Sequence, residues 1–150
     1  MATVTLPSVL VLDSNCLVYR LNDPDGQRGR WLDEEVFRPA IHGDLDLRLS
    51  TVALGEVLVR PYSDGQPARA HAVRAALEAL PGLTLVPLSA DIADLAARLR
   101  GETRMSLPDA IMLATAQHGG ASLLTNDRHL LQPAGPVTVL LLDDEMTRSP

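Results

Sequence analysis

Ser8-Val-Leu-Val-Leu-Asp13-Ser-Asn15 is the stretch that decides the fold. Its apolar, β-branched residues follow one another without polar interruption. They predict a short strand, Ser8 to Leu12, buried on both faces, which is the mark of a parallel sheet covered by helices on each side. Asp13 stands directly after that strand. In open α/β sheets, ligands collect beyond the carboxyl ends of the strands. Asp13 therefore begins either a site or an Asx turn that caps the following helix.

The same alternation continues outward from this strand. A short helix is expected over Asn15 to Leu21, then a loop over Asn22 to Gly26. Trp31, Leu32, Glu35 and Val36 recur at helical spacing within Arg28 to His42, and Gly43 supplies a stop. Leu45 to Leu49 alternates with period 2 and predicts a strand. Ser50 or Thr51 caps a helix to Arg60, ended by Pro61. Further helices are expected over Pro67 to Leu80, Ser89 to Arg100 and Leu107 to Gln117. Strands are expected over Leu83 to Val86, Ser122 to Leu124 and Val137 to Leu142. Strands alternating with helices predict an α/β fold with a mostly parallel central sheet. No repeat or low-complexity tract interrupts the pattern. Residues 146–150 are expected to form a mobile tail.

The chain has 150 residues, the length of one domain, here 1–150. All 13 basic residues are arginine, against 19 acids, and the formal net charge is −6. The absence of lysine removes P-loop phosphate binding, Schiff-base catalysis and protein-kinase chemistry. With one Trp, two Tyr and one Phe there is no stacking platform for single-stranded nucleic acid. A single cysteine, Cys16, rules out an internal disulfide framework and a Cys-based zinc site. No signal peptide and no run of ~20 apolar residues is present. The expectation is a protein of a reducing compartment, the cytoplasm.

Most of the acids sit where solvent takes care of them. Four do not. Glu56 is the only charge in Val52-Ala-Leu-Gly-Glu-Val-Leu-Val59, a helix apolar enough to be buried. A lone carboxylate there needs either Arg60 at i+4 or a cation. Gly55 beside it points to close approach of another backbone. Asp109 lies in the first turn of the apolar helix from Leu107. It answers either to a Ser106-x-x-Asp109 capping arrangement, with Pro108 in the tolerated first turn, or to a ligand role. Asp127, in Thr125-Asn-Asp-Arg-His129, repeats the run of strand into Asp and reads as a polar turn or as a second strand-end acid. Asn15 and Thr125 fit either reading. The run Asp143-Asp144-Glu145 is expected to be a solvated terminus.

Asp13, Glu56, Asp109 and Asp127 come from two strand ends and two helices that one sheet edge can gather. Gathered carboxylates repel, and each raises the others' pKa values. Hard divalent cations remove that conflict, and an all-carboxylate set selects Mg²⁺ or Mn²⁺ over zinc. Such ions activate water for in-line displacement at phosphorus without a nucleophilic side chain. Arginines near these acids, Arg20, Arg28, Arg30, Arg104 and Arg128, are candidates to hold substrate phosphates.

Together these segments resemble the PIN-domain ribonucleases, and their size and order are similar to the VapC toxins of toxin–antitoxin pairs. The resemblance spans about residues 8 to 142. It implies a three-layer α/β/α fold and a Mg²⁺- or Mn²⁺-dependent endoribonuclease. Asp13, Glu56, Asp109 and Asp127 would be its acidic metal site, with Asn15 and Thr125 as supporting polar residues. It implies a homodimer, a cognate antitoxin and a structured RNA substrate such as tRNA or rRNA. The alternatives are a housekeeping RNA-processing nuclease and an inactive metal-binding scaffold that serves as an interaction module. A phosphoryl-accepting receiver domain fails for want of a lysine. A haloacid-dehalogenase-like phosphatase wants Asp-x-Asp, where this chain has Asp13-Ser14-Asn15.

Overall fold

β1 (Val9–Leu12) is buried along nearly its whole length, with Leu10, Val11 and Leu12 at most 1% exposed. Consecutive residues point to opposite faces of a strand, so both faces must be covered. The computed structural model, which describes residues 5–132 and 135–149, shows how. β2 (Asp46–Ser50), β3 (Leu83–Val86), β4 (Ser122–Thr125) and β5 (Val139–Leu141) join β1 in one parallel sheet of order β3-β2-β1-β4-β5. β1 pairs with β2 on one side (Leu10 opposite Leu47) and with β4 on the other (Leu12 opposite Leu124). The winding direction therefore reverses between β1 and β4. At such a switch point the two following connections leave in opposite directions and open a crevice at the strands' carboxyl ends.

The helices are α1 (Ser14–Asn22), α2 (Gln27–Leu32), α3 (Arg38–His42), α4 (Thr51–Ser63), α5 (Pro67–Ala79), α6 (Ala90–Glu102), α7 (Leu107–His118) and α8 (Leu142–Arg148). They cover the sheet to give the expected three-layer α/β/α arrangement. α7 is the most enclosed, with every residue from Ala110 to Ala116 buried. That explains its lack of an amphipathic pattern, since a helix apolar all round belongs inside. None of the described helices is long and apolar enough to cross a membrane.

The structure differs from the sequence expectation in four places. The single helix over Arg28 to His42 is divided: between α2 and α3, Asp33–Phe37 forms a π-helical turn in which the Arg38 N–H bonds the Asp33 carbonyl. Pro39 has no N–H to offer the carbonyl of Glu35, so the helix widens in the turn before it. α4 runs through the buried Pro61 to Ser63, because the Asp64 N–H still reaches the Arg60 carbonyl at 2.9 Å and closes the last turn. Gly55 is exposed, with no atom within 4 Å of where a Cβ would stand, so no backbone approaches it closely.

The fourth difference lies at the carboxyl end. β5 stops at Leu141, and α8 occupies Leu142–Arg148 in place of strand end, solvated acids and mobile tail. Asp143, Asp144 and Glu145 form its first turn, where negative charge faces the positive end of the helix dipole. Each has an arginine: Arg28 for Asp143, Arg128 for Asp144 and Arg148 for Glu145. Glu145 is buried, and Leu142 is completely so. Of the expected tail, Pro150 lies outside the described residues.

Leu142→Ala should lower the unfolding free energy by about 2–5 kcal/mol, as for other leucines truncated inside a packed core. Urea denaturation of both proteins measures it, and an unchanged midpoint would show that α8 does not dock.

Candidate active site

β1 delivers Asp13 into the crevice, and the Asp13 N–H bonds the Leu124 carbonyl of β4 at 2.9 Å. The carboxylate is only 5% exposed. One oxygen accepts from the Ser14 N–H at 2.7 Å, which caps α1. The other accepts from the Thr125 hydroxyl at 2.7 Å. The capping role is therefore real, yet it leaves the carboxylate buried and aimed into the crevice. Asn15 completes the clasp. Its amide N–H₂ donates to Thr125 Oγ1 at 3.2 Å and its carbonyl accepts from the Asn126 N–H at 3.2 Å. Thr125 Oγ1 also accepts from the Asp127 N–H at 3.0 Å. A hydroxyl has one proton and two lone pairs. Thr125 uses all three, so its proton is committed to Asp13.

Burial pushes the Asp13 carboxyl above its ordinary pKa of 3.8, the Thr125 and Ser14 hydrogen bonds hold it down, and the charges of Glu56 and Asp109 push it up again. Of the four acids singled out by the sequence, Glu56 on α4 and Asp109 on α7 are thus near enough for their charge to act on Asp13 at the head of α1, and Asp127 is not among the groups that do so. Glu56 itself is exposed, contrary to the expectation of a buried carboxylate. α4 turns Ala53, Val57 and Pro61 inward, while Val59 on the outside is 61% exposed. The alternative, a pair with Arg60, is not formed, because Arg60 bonds Asp64 at 2.9 Å. Asp109 is half-buried. Ser106 Oγ accepts from its N–H at 3.2 Å and donates to its carboxylate at 2.7 Å, so the capping expectation holds and the side chain is fixed at the head of α7.

Asp127 is occupied differently. One carboxylate oxygen accepts from the His129 N–H and meets His129 Nδ1, both at 2.9 Å, closing the short 3₁₀ turn Arg128–Leu130. The His129 ring is left 97% exposed. Among the described residues, no three His, Cys, Asp or Glu side chains stand close enough to hold one ion between them. The ligand atoms that Asp13, Glu56 and Asp109 offer are all hard carboxylate oxygens. Such a set suits a cation that takes one or two carboxylates and keeps several waters, as Mg²⁺ does.

The candidate arginines divide by partner. Arg20 bonds Asp33, and Arg128 bonds Asp144. Arg28 makes two bonds to Asp143, at 2.8 and 2.7 Å, and lies 4.4 Å from the centroid of the Tyr19 ring. That guanidinium holds the Asp143 carboxyl below its ordinary range. Arg30 and Arg104 have no ion pair among the described residues. A network absent from the sequence expectation joins these parts: Asn126 Oδ1 accepts from the Asp143 N–H at 3.2 Å, so the site's edge is tied to α8. Its members are far apart in the chain, and no local pattern announces them.

A model of the PIN domain matches residues 10–136. The chain belongs to the PIN domain family. PIN domains are generally nucleases, and PIN nucleases generally use divalent metal ions. Solved structures agree on the fold. A toxin–antitoxin complex from Klebsiella pneumoniae is 26% identical, with a TM-score of 0.66 over 89% of this chain and 97% of that one. VapBC2 from Rickettsia felis, bound to a fragment of promoter DNA, is 16% identical, with a TM-score of 0.70 over 89% and 98%. DNA-bound VapBC from Salmonella typhimurium is 18% identical, with a TM-score of 0.66 over 91% and 99%. No curated protein sequence matches the chain.

Because the Asp13 pKa is raised on folding, between 3.8 and the raised value the folded PIN domain keeps a proton that the unfolded chain has released. Stability therefore falls as pH rises across that window. In EDTA, the stability of Asp13→Asn relative to wild type should rise as pH climbs from 3.8 and then level off, whatever the fixed loss of one accepted hydrogen bond. Thermal unfolding across pH checks it, and a margin independent of pH would contradict the shift.

Proposed function

We propose that this PIN domain is a Mg²⁺- or Mn²⁺-dependent endoribonuclease and the toxin of a toxin–antitoxin pair. The observation that carries the proposal is Asp13: a buried carboxylate at the switch point of the sheet, with the charges of Glu56 and Asp109 pressing on it. No arginine pairs with Asp13, Glu56 or Asp109 among the described residues, and a hard cation would offset their charge.

Asp13 would anchor the ion, with Glu56 and Asp109 reaching it singly or through its waters, and Asp127 would stay with His129 at the rim. When bound, the ion supplies an activated water or hydroxide and Lewis-acid stabilisation of the phosphodiester's leaving oxygen. The chain's own residues do the positioning. Thr125 and Ser14 keep the Asp13 carboxylate turned into the crevice. Asn15 holds Thr125 and so acts on Asp13 through it. Ser106 fixes one oxygen of Asp109 and leaves the other for coordination. Rigid support of this kind matters because a small displacement of a catalytic group costs much of the rate.

The biological setting rests on similarity. The Klebsiella structure is a toxin–antitoxin complex, and two other similar structures are bound to DNA. By analogy this chain, as a single domain in the cytoplasm, would form a homodimer, be restrained by a cognate antitoxin, and cut structured RNA such as tRNA or rRNA.

Purified protein freed of any antitoxin should cleave RNA with Mg²⁺ or Mn²⁺ and stop on addition of EDTA. Asp13→Asn should keep its circular dichroism spectrum and lose cleavage. Folded wild-type protein that cuts no RNA with either ion would replace the nuclease with a partner-binding PIN scaffold.

A further inference from the structure

Arginine is the only basic residue type in this chain, so where it lacks a carboxylate partner is informative. Nine of the 13 arginines are ion-paired, and Arg100 bonds the Met105 carbonyl. Among the described residues three have no such partner: Arg30, Arg69 and Arg104. Each lines a different cleft.

Two of those clefts open onto the acids. One, of about 390 Å³, contains Glu56, with Arg69 on its wall and Val18, Leu21 and Val57 among its apolar residues. The other, of about 720 Å³, contains Asp109 together with Arg104, Arg128 and His129. Asp13 caps α1, whose Val18, Leu21 and Asn22 line the first cleft, and bonds Thr125, just before the segment 128–132 that lines the second, so it stands between the elements that form the two clefts. Arg60 and Arg128, also at these clefts, are spoken for by Asp64 and Asp144. The third cleft, about 930 Å³, holds Arg30 but none of the site acids. Its Arg28 is taken by Asp143, which leaves Asp23 and Glu34 against Arg30, a net negative wall for a phosphate chain.

We infer that an RNA strand crosses Asp13 from the Glu56 cleft to the Asp109 cleft, and that Arg69 and Arg104 hold its phosphates on either side. The inference rests on the nuclease reading above and adds the substrate's path to it. Arg69, on α5, and Arg104, between α6 and α7, are exposed and make no structural pair that binding would have to break. Their guanidinium groups are free to take a phosphate in two-pronged fashion. Arg20 and Arg28, by contrast, would have to leave Asp33 and Asp143. The net charge of −6 makes these two unpaired sites count for more, since the rest of the surface repels the strand.

The test uses the Asp13→Asn protein, so that binding is read without cleavage. The probe is a fluorescent, mixed-sequence single-stranded RNA of about 12 nucleotides, within the usual span of a single-strand groove. Adding Arg69→Ala or Arg104→Ala should weaken binding by about 3- to 10-fold. Each should also lower the slope of log affinity against log salt by about 0.7, the share of one phosphate contact on a single strand. Arg→Lys at either position should restore much of the slope, and Arg30→Ala should match its parent. Unchanged affinity and slope in both alanine variants, or a loss confined to Arg30→Ala, would overturn the path. If wild-type protein cleaves RNA while these variants bind like their parent, only the path falls. If wild type neither cleaves nor binds RNA, the nuclease reading falls with it.

Discussion

The hydrogen bond from Thr125 to Asp13 is the contact on which the site depends. It joins the ends of two neighbouring parallel strands whose residues lie more than a hundred positions apart, and it does so around a carboxylate almost without solvent. A buried carboxylate loses several kcal/mol of hydration unless donors replace the water. Here a hydroxyl, a backbone N–H and, more distantly, the Asn15 amide do so. They leave the charge in place rather than cancelling it. The switch-point topology explains why the clasp sits there, since β1 and β4 are the adjacent strands whose continuations diverge.

Around that fixed point the other acids hold graded degrees of freedom. Asp109 is tethered by Ser106 at the head of the most enclosed helix, whereas Glu56 stands exposed on α4. One buried, one tethered and one exposed carboxylate would give the proposed ion a fixed anchor and leave its remaining positions to waters. The carboxyl-terminal helix belongs to the same construction. Through Asp143 it reaches Asn126 and Arg28, and so braces the loop after β4.

What the sequence made legible follows from what local pattern can encode. The strands β1 and β4 announce themselves by unbroken apolar runs, and a parallel sheet obliges their ends to meet, so Asp13 and Asp127 could be placed at one edge before any coordinates. Ser106 and Asp109 were readable because a helix cap is a local contact. Glu56 was found for a reason that failed: α4 is apolar by composition, but composition does not say which face is covered, and Val59 and Glu56 look outward. The end of the chain was misjudged because three acids in a row look solvated. Their arginine partners include Arg28, 115 positions from Asp143, a distance no periodicity spans.

In the proposed site Asp13 anchors a hard cation that Glu56 and Asp109 meet directly or through water. Crystals grown with Mn²⁺, measured at a wavelength where manganese scatters anomalously, test it most directly. An anomalous peak is expected within coordination distance of the Asp13 carboxylate, with Glu56 or Asp109 as a further ligand or bridged by water. A crevice without a peak at saturating Mn²⁺, or a peak only at the Asp143–Asp144 turn, would contradict it.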